Sequence, residues 1–174
     1  MGADPPFTNI QVIVPSRRRP RAGDYFAVRP AELGYLFGRV INTDTRIGGF
    51  PGDVVLAYIF NPLFPRMELT NFAQLTPSNL LIPPFGINTL PWSRGYFHTV
   101  DSRPLLAGDV LAEHVFLESR RTGDFYFDEH GVEVGPSDNA GVWGLRSFRT
   151  IDDEISRALG LPLAPNLPSH REPA

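Results

Sequence analysis

Neither cysteine nor lysine occurs among the 174 residues of this chain, and each absence excludes chemistry. Without cysteine there is no disulfide framework, no thiol nucleophile and no thiolate metal site, so the fold must hold by packing alone. Without lysine the glycines Gly48, Gly49 and Gly52 cannot belong to a phosphate-binding P-loop. All sixteen basic residues are arginine. Codon bias in a GC-rich genome is one reading of that composition; the other is that arginine's planar fork suits interfaces and phosphate groups. No apolar run approaches the roughly 18 residues of a membrane helix, and Met1–Pro15 lacks the basic start, apolar core and small-residue cleavage site of a secretory signal. A cytoplasmic protein with no membrane partner is expected. The Gly-x-Ser-x-Gly elbow, the His-Glu-x-x-His motif and the dinucleotide fingerprint are missing as well, so no catalytic or cofactor-binding residue is assigned and no enzyme is expected.

What is present points to β structure. Thirteen phenylalanines and an ordinary apolar content argue for a packed core in one domain. The stretch Pro20–Asn42 carries two aromatic and β-branched runs, Asp24–Val28 and Tyr35–Ile41, joined through Pro30 and Gly34, which reads as a meander of adjacent strands. Gly38 inside the second run marks a bulge or a close backbone approach, and hence sheet curvature. Val54–Phe60 reads as a central strand buried on both faces. Two short helical turns are expected after it, one capped by Thr70 and one opened by Thr76-Pro77. Pro83–Pro91 should then run extended over the surface.

Further along, Trp92 precedes a strand and reads either as a core plug or as an interface anchor. Leu106–Asp109 echoes Arg21–Asp24 as a reused turn rather than as a repeat. A hairpin is expected from Phe125–Phe127 and Val132–Val134 about Asp128–Gly131, with Phe125, Phe127, Val132 and Val134 on one buried face. Trp143 lies in a glycine-rich loop. Thr150–Gly160 carries the signals of a helix, with Thr150 as its N-cap, acids in its first turn, Gly160 as its stop, and Ile151, Ile155, Ala158 and Leu159 as its docking stripe. The expected architecture is α+β and β-rich: a strongly curved antiparallel sheet or small barrel, short helices, and a C-terminal helix packed on it. Residues 1–18 form a tail or edge strand, 19–160 the globular domain, and 161–174 a proline-rich disordered tail.

Several of these residues carry a resemblance. Gly23-Asp24, Phe26-Ala27-Val28, Tyr35, Gly38-Arg39-Val40-Ile41, Leu80–Pro84, Trp92–Phe97 and Phe127–Gly131, in that order, resemble the immunity protein 26 family, over most of Arg19–Gly160. That family comprises small antidotes of bacterial polymorphic-toxin systems. The resemblance implies a β-rich domain without catalytic residues, and a cognate toxin, encoded by an adjacent gene, as the partner bound stoichiometrically.

Charge is unevenly divided. Residues 1–87 hold eight arginines against six acids, net +2, and residues 88–174 eight against thirteen, net −5. An acidic, aromatic-studded patch suits competition for a basic cleft. The contact candidates are therefore Asp128, Glu129, His130 and Glu133 at the hairpin, with Tyr35, Trp92 and Trp143. The alternative is a non-catalytic barrel that binds a small ligand or nucleic acid through Arg17–Arg21 and stacking aromatics. Against it, the acidic remainder offers no basic surface to extend such a site, and the arginine run reads as a solvated linker. Glu113, His114, Asp128 and His130 have metal-ligand chemistry, but such residues are ordinary on an acidic surface and no metal is assigned.

Overall fold

The computed structural model describes residues 7–165. In chain order the elements are β1 (Ile10–Gln11), β2 (Asp24–Pro30), β3 (Leu36–Asn42), β4 (Val55–Ile59), β5 (Phe85–Ile87), α1 (Leu90–Arg94), β6 (His98–Ser102), β7 (Phe116–Arg120), β8 (Gly123–Phe127), β9 (Gly141–Val142), β10 (Leu145–Arg146) and α2 (Phe148–Ala158). The main sheet runs β1-β2-β3-β4-β5-β10, with β6 sharing with β1 the outer side of β2. It is antiparallel except for β10 beside β5 and is strongly curled, a half-barrel. A second sheet has the order β8-β7-β9.

The expected meander is present, with Phe26 opposite Gly38 and Tyr25 opposite Arg39. Both faces of β2, β3 and β4 are buried, so alternate residues enter two cores. One holds Phe26, Val28, Leu36, Val40, Ala57 and Ile59 under α1 and α2; the other holds Ala27, Phe37, Leu56, Tyr58 and Phe60 under the second sheet and the loops. Gly38 marks a close approach: a Cβ there would collide with the Phe26 ring and the Tyr58 carbonyl. The register shifts lie elsewhere, between Tyr25 and Phe26 towards β6 and between Val40 and Asn42 towards β4. The Gly-Asp echo is reused turn chemistry. Asp24 accepts the Arg21 amide at 2.9 Å as Asp109 accepts that of Leu106 at 2.8 Å, and each carboxylate also holds an arginine, Arg18 or Arg39.

Four expectations need correction. Phe85–Ile87 is a buried strand rather than a surface stretch, because it closes the sheet between β4 and β10. No helix follows Thr70; Asn71 Oδ1 accepts the Ala73 amide instead, a side-chain turn that competes with helix, and only Pro77–Asn79 makes a 3-10 turn. The C-terminal helix starts at Phe148 with Ser147, not Thr150, as its N-cap, since the Ser147 hydroxyl accepts the Thr150 amide at 3.1 Å. Its Ala158 is exposed while Asp152 is fully buried. At its other end Gly160 takes a left-handed φ of 70°, and the Leu161 amide reaches back to the Ser156 carbonyl, a Schellman stop.

Asp152 explains how the chain's beginning is held. Its carboxylate accepts the Asn9 amide at 2.9 Å and the Ile10 amide at 2.7 Å, two donors that the short β1 ladder leaves free. The expected tail at 161–174 is described only to Pro165, with Ala164 buried and its carbonyl bound by Arg149; its remainder lies outside the described residues. Among the described residues no helix is long and apolar enough to cross a membrane.

Asp152→Ala strands one buried and one partly buried amide, so its unfolding free energy by urea titration should fall by about 2–4 kcal/mol. Gly38→Ala overpacks the junction of Phe26 and Tyr58 and should cost at least about 2 kcal/mol in the same measurement.

Candidate partner-binding site

The candidate site grows from a row across the main sheet, Tyr25–Arg39–Tyr58, directed into the second core. Arg39 is only 2% exposed, and its guanidinium needs partners that water cannot supply. It pairs with Asp109 at 3.0 Å, donates to the carbonyls of Arg103 and Pro104 at 3.3 Å, and lies 4.3 Å from the Tyr25 ring centroid. Tyr58 continues the polar path. Its hydroxyl accepts the Leu111 amide at 3.1 Å and bonds His114 Nε2, while His114 Nδ1 lies 3.2 Å from Glu129 Oε1.

One proton arrangement satisfies every group. The Tyr58 O–H donates to Nε2, and Nδ1–H donates to the Glu129 carboxylate. Burial pushes the Tyr58 phenol up to about 12, so it remains a donor at neutral pH. The hydrogen bond from His114, opposed in part by burial, holds the Glu129 carboxyl below its usual value. Both His114 nitrogens are thus committed, and neither is left for a metal. Sequence reasoning missed this chain, because nothing local to Tyr58 signals a partner 56 positions away.

Glu129 belongs to the hairpin tip, which differs from expectation. The main partner of β8 is β7, through the pairs Phe116–Phe127 to Arg120–Gly123. The 132–134 arm adds only a bridge from Glu133 to Phe127, with the Asp128 amide on the Val132 carbonyl and the Val134 amide on that of Tyr126, each at 2.9 Å. Val132 is therefore 58% exposed instead of sharing a buried face. Gly131 does take the expected positive φ, 83°. Asp128 Oδ1 accepts the amides of His130 and Val132, both at 2.9 Å, which sets the turn. Beside it a cleft of about 520 Å³ is lined by Glu113, His114, Asp128, Glu129, His130 and Pro136.

The seven contact candidates separate into groups. Asp128, Glu129, His130 and Glu133 share the tip, and Trp143 lies below it, half-buried, 4.7 Å from the Phe127 ring and within 3.7 Å of the Cβ position of Gly131. Tyr35 stands apart; it bridges to Phe64 and lines a different cleft with Pro65–Leu69 and His98–Val100. Trp92 is 1% exposed, packed edge-on against Phe26 and Phe97, so it is the core plug and not a surface contact. In the arginine run, Arg18 pairs with the buried Asp24 and Arg19 with Asp53, and Pro20 is buried, so the segment is partly docked rather than a free linker.

Glu129→Gln removes the charge that His114 supports and should cost about 1–2 kcal/mol at pH 7. A carboxyl depressed on folding stabilises above its unfolded pKa, and that gain is lost as pH falls through the folded value. The gap between wild type and variant in urea titrations should therefore be full above the usual value of 4.5 and close as pH drops below it.

Comparison with known proteins adds one finding. No curated protein and no solved structure gives a match. The family model of immunity protein 26 matches residues 21–117, more than half of the chain, from the turn before β2 into β7. The matched span includes Asp24, Arg39, Tyr58 and His114 and ends before the hairpin tip, so Phe127–Gly131 lies outside it. With its β-rich half-barrel and matched span, the chain belongs to the immunity protein 26 family.

Proposed function

We propose that this protein is an antidote that neutralises a cognate bacterial toxin by direct stoichiometric binding, without catalysis, inside the cell that makes it. Family membership carries the reading. The polar chain fits it: Tyr58, His114 and Glu129 satisfy one another inside the protein, as a structural network does, and the phenol is buried and protonated rather than poised for attack. The contact surface is the acidic hairpin tip with Trp143, beside the cleft that Glu113 and His130 of this chain line, and it faces a basic region of the toxin.

Two acids at the tip hold the fold, Asp128 through its turn and Glu129 through His114, so reversing either confuses folding with binding. Glu133 is exposed and makes no side-chain hydrogen bond or ion pair among the described residues, so it is the cleaner probe. Titration calorimetry with the product of the adjacent reading frame should give tight one-to-one binding that weakens with salt. Glu133→Arg should lower affinity about threefold to tenfold with thermal stability unchanged. No binding to a folded neighbour overturns the cognate-pair reading; a salt-dependent shift with oligonucleotides instead favours the nucleic-acid-binding barrel.

A further inference from the structure

The geometry points to a specific docking face for the partner: an exposed apolar patch of Phe50, Val132 and Leu145 with the acidic hairpin tip on its rim, which takes an apolar knob of the toxin ringed by basic residues. This inference rests on the antidote reading and adds the energetic centre of the contact and its chemistry.

Three segments distant in sequence converge there. The 46–50 loop is tied to the hairpin by the Arg46 amide on the Glu129 carbonyl at 2.7 Å. It meets the 142–145 turn at Gly48, where a Cβ position would lie 3.0 Å from Gly144 Cα, 3.0 Å from the Leu145 nitrogen and 3.1 Å from the Phe50 ring. The hairpin meets both at Gly131, whose Cβ position would lie 3.5 Å from Arg46 Cβ and 3.7 Å from the Trp143 ring. Phe50 is 49% exposed, Val132 58% and Leu145 37%, whereas Val142 lines a separate cleft with Arg146 and Arg157. Large apolar side chains brought together on one surface, unlike single ones scattered over it, mark an interaction site.

Charge selects the occupant. Asp128, Glu129 and Glu133 lie on the hairpin beside the patch against two arginines, Arg46 and Arg146, of which Arg146 is paired with Glu154, and the rest of the chain's second half is acidic too. An apolar centre with a charged rim is the arrangement of a protein interface, in which the centre supplies affinity and the rim steers the encounter. A second copy of this chain brings the same acids against themselves and is disfavoured. The loops are also held before binding. Asp128 fixes the hairpin turn, the Trp143 amide bonds the Leu117 carbonyl at 2.8 Å, and the Gly49 amide that of Arg46 at 2.8 Å, which limits the ordering cost on association.

The test compares Phe50→Asp and Val132→Asp with Leu33→Asp in calorimetric titration against the product of the adjacent reading frame. Leu33 is 45% exposed on the turn before β3, at the far end of a strand about 20 Å long. All three lie in turns, and unchanged melting temperatures establish that each variant folds. Each patch variant should lose at least about tenfold in affinity and Leu33→Asp less than about twofold. In hydrogen exchange, amides of 46–50 and 142–145 should be protected in the complex. Full affinity in both patch variants, or protection confined to the Leu33 end, overturns this face while leaving the antidote reading intact. No complex with wild-type protein overturns both.

Discussion

A guanidinium group buried at the middle of a sheet cannot be hydrated, and the second layer of this protein is arranged around that constraint at Arg39. The sheet supplies the Tyr25 ring beneath it, and the 103–109 segment is drawn over it to supply two carbonyls and the Asp109 carboxylate. Asp109 also closes its own turn on the Leu106 amide, so one carboxylate both shapes the loop and neutralises the cation. From there the polar path continues to Leu111, Tyr58, His114 and Glu129, and by the Glu129 carbonyl to the 46–50 loop. Each bond on this path satisfies a group that burial would otherwise leave costly, although Arg39 Nε itself is buried without a partner.

The opposite face of the sheet is held differently. Phe26, Trp92 and Phe97 pack there as an aromatic cluster with rings 4.7 to 5.2 Å apart, and Ile151 and Ile155 dock α2 upon it. Area and shape do most of the stabilising, and a buried carboxylate, that of Asp152, adds hydrogen bonds. Its place on the inner side of α2 makes the helix a clasp for β1, so the first described residues and the last helix are fixed together. The two faces thus divide the labour: an apolar face that stabilises, and a polar face whose hydrogen bonds position surface loops.

That division also sets which surface loops are held in place. The apolar face is covered by helices and offers little to a protein partner. The polar face ends in the hairpin tip, the 46–50 loop and the 142–145 turn, each anchored by hydrogen bonds and each leaving an apolar side chain outside. The part of the chain that matches the family is largely the sheet and its polar spine, whereas the tip lies beyond it. A shared scaffold that carries a loop surface of its own is how partner choice separates from fold.

The sequence by itself determined what short-range rules govern. β2 and β3 follow from β-branched and aromatic runs about a Pro-Gly join, β4 from an unbroken apolar run, the left-handed turn at Gly131 from its glycine, and α2 from its amphipathic period, with the cap three residues early because Ser147 and Thr150 are both competent and only packing chooses. The acidity of the tip was legible too. Tertiary structure alone decided that β8 pairs with β7, that Phe85–Ile87 enters the sheet, that Trp92 is core, and that Asp128 and Glu129 hold the fold. Propensity and periodicity act over a few residues, whereas strand pairing and the satisfaction of buried charge depend on groups brought together from 56 or 142 positions apart.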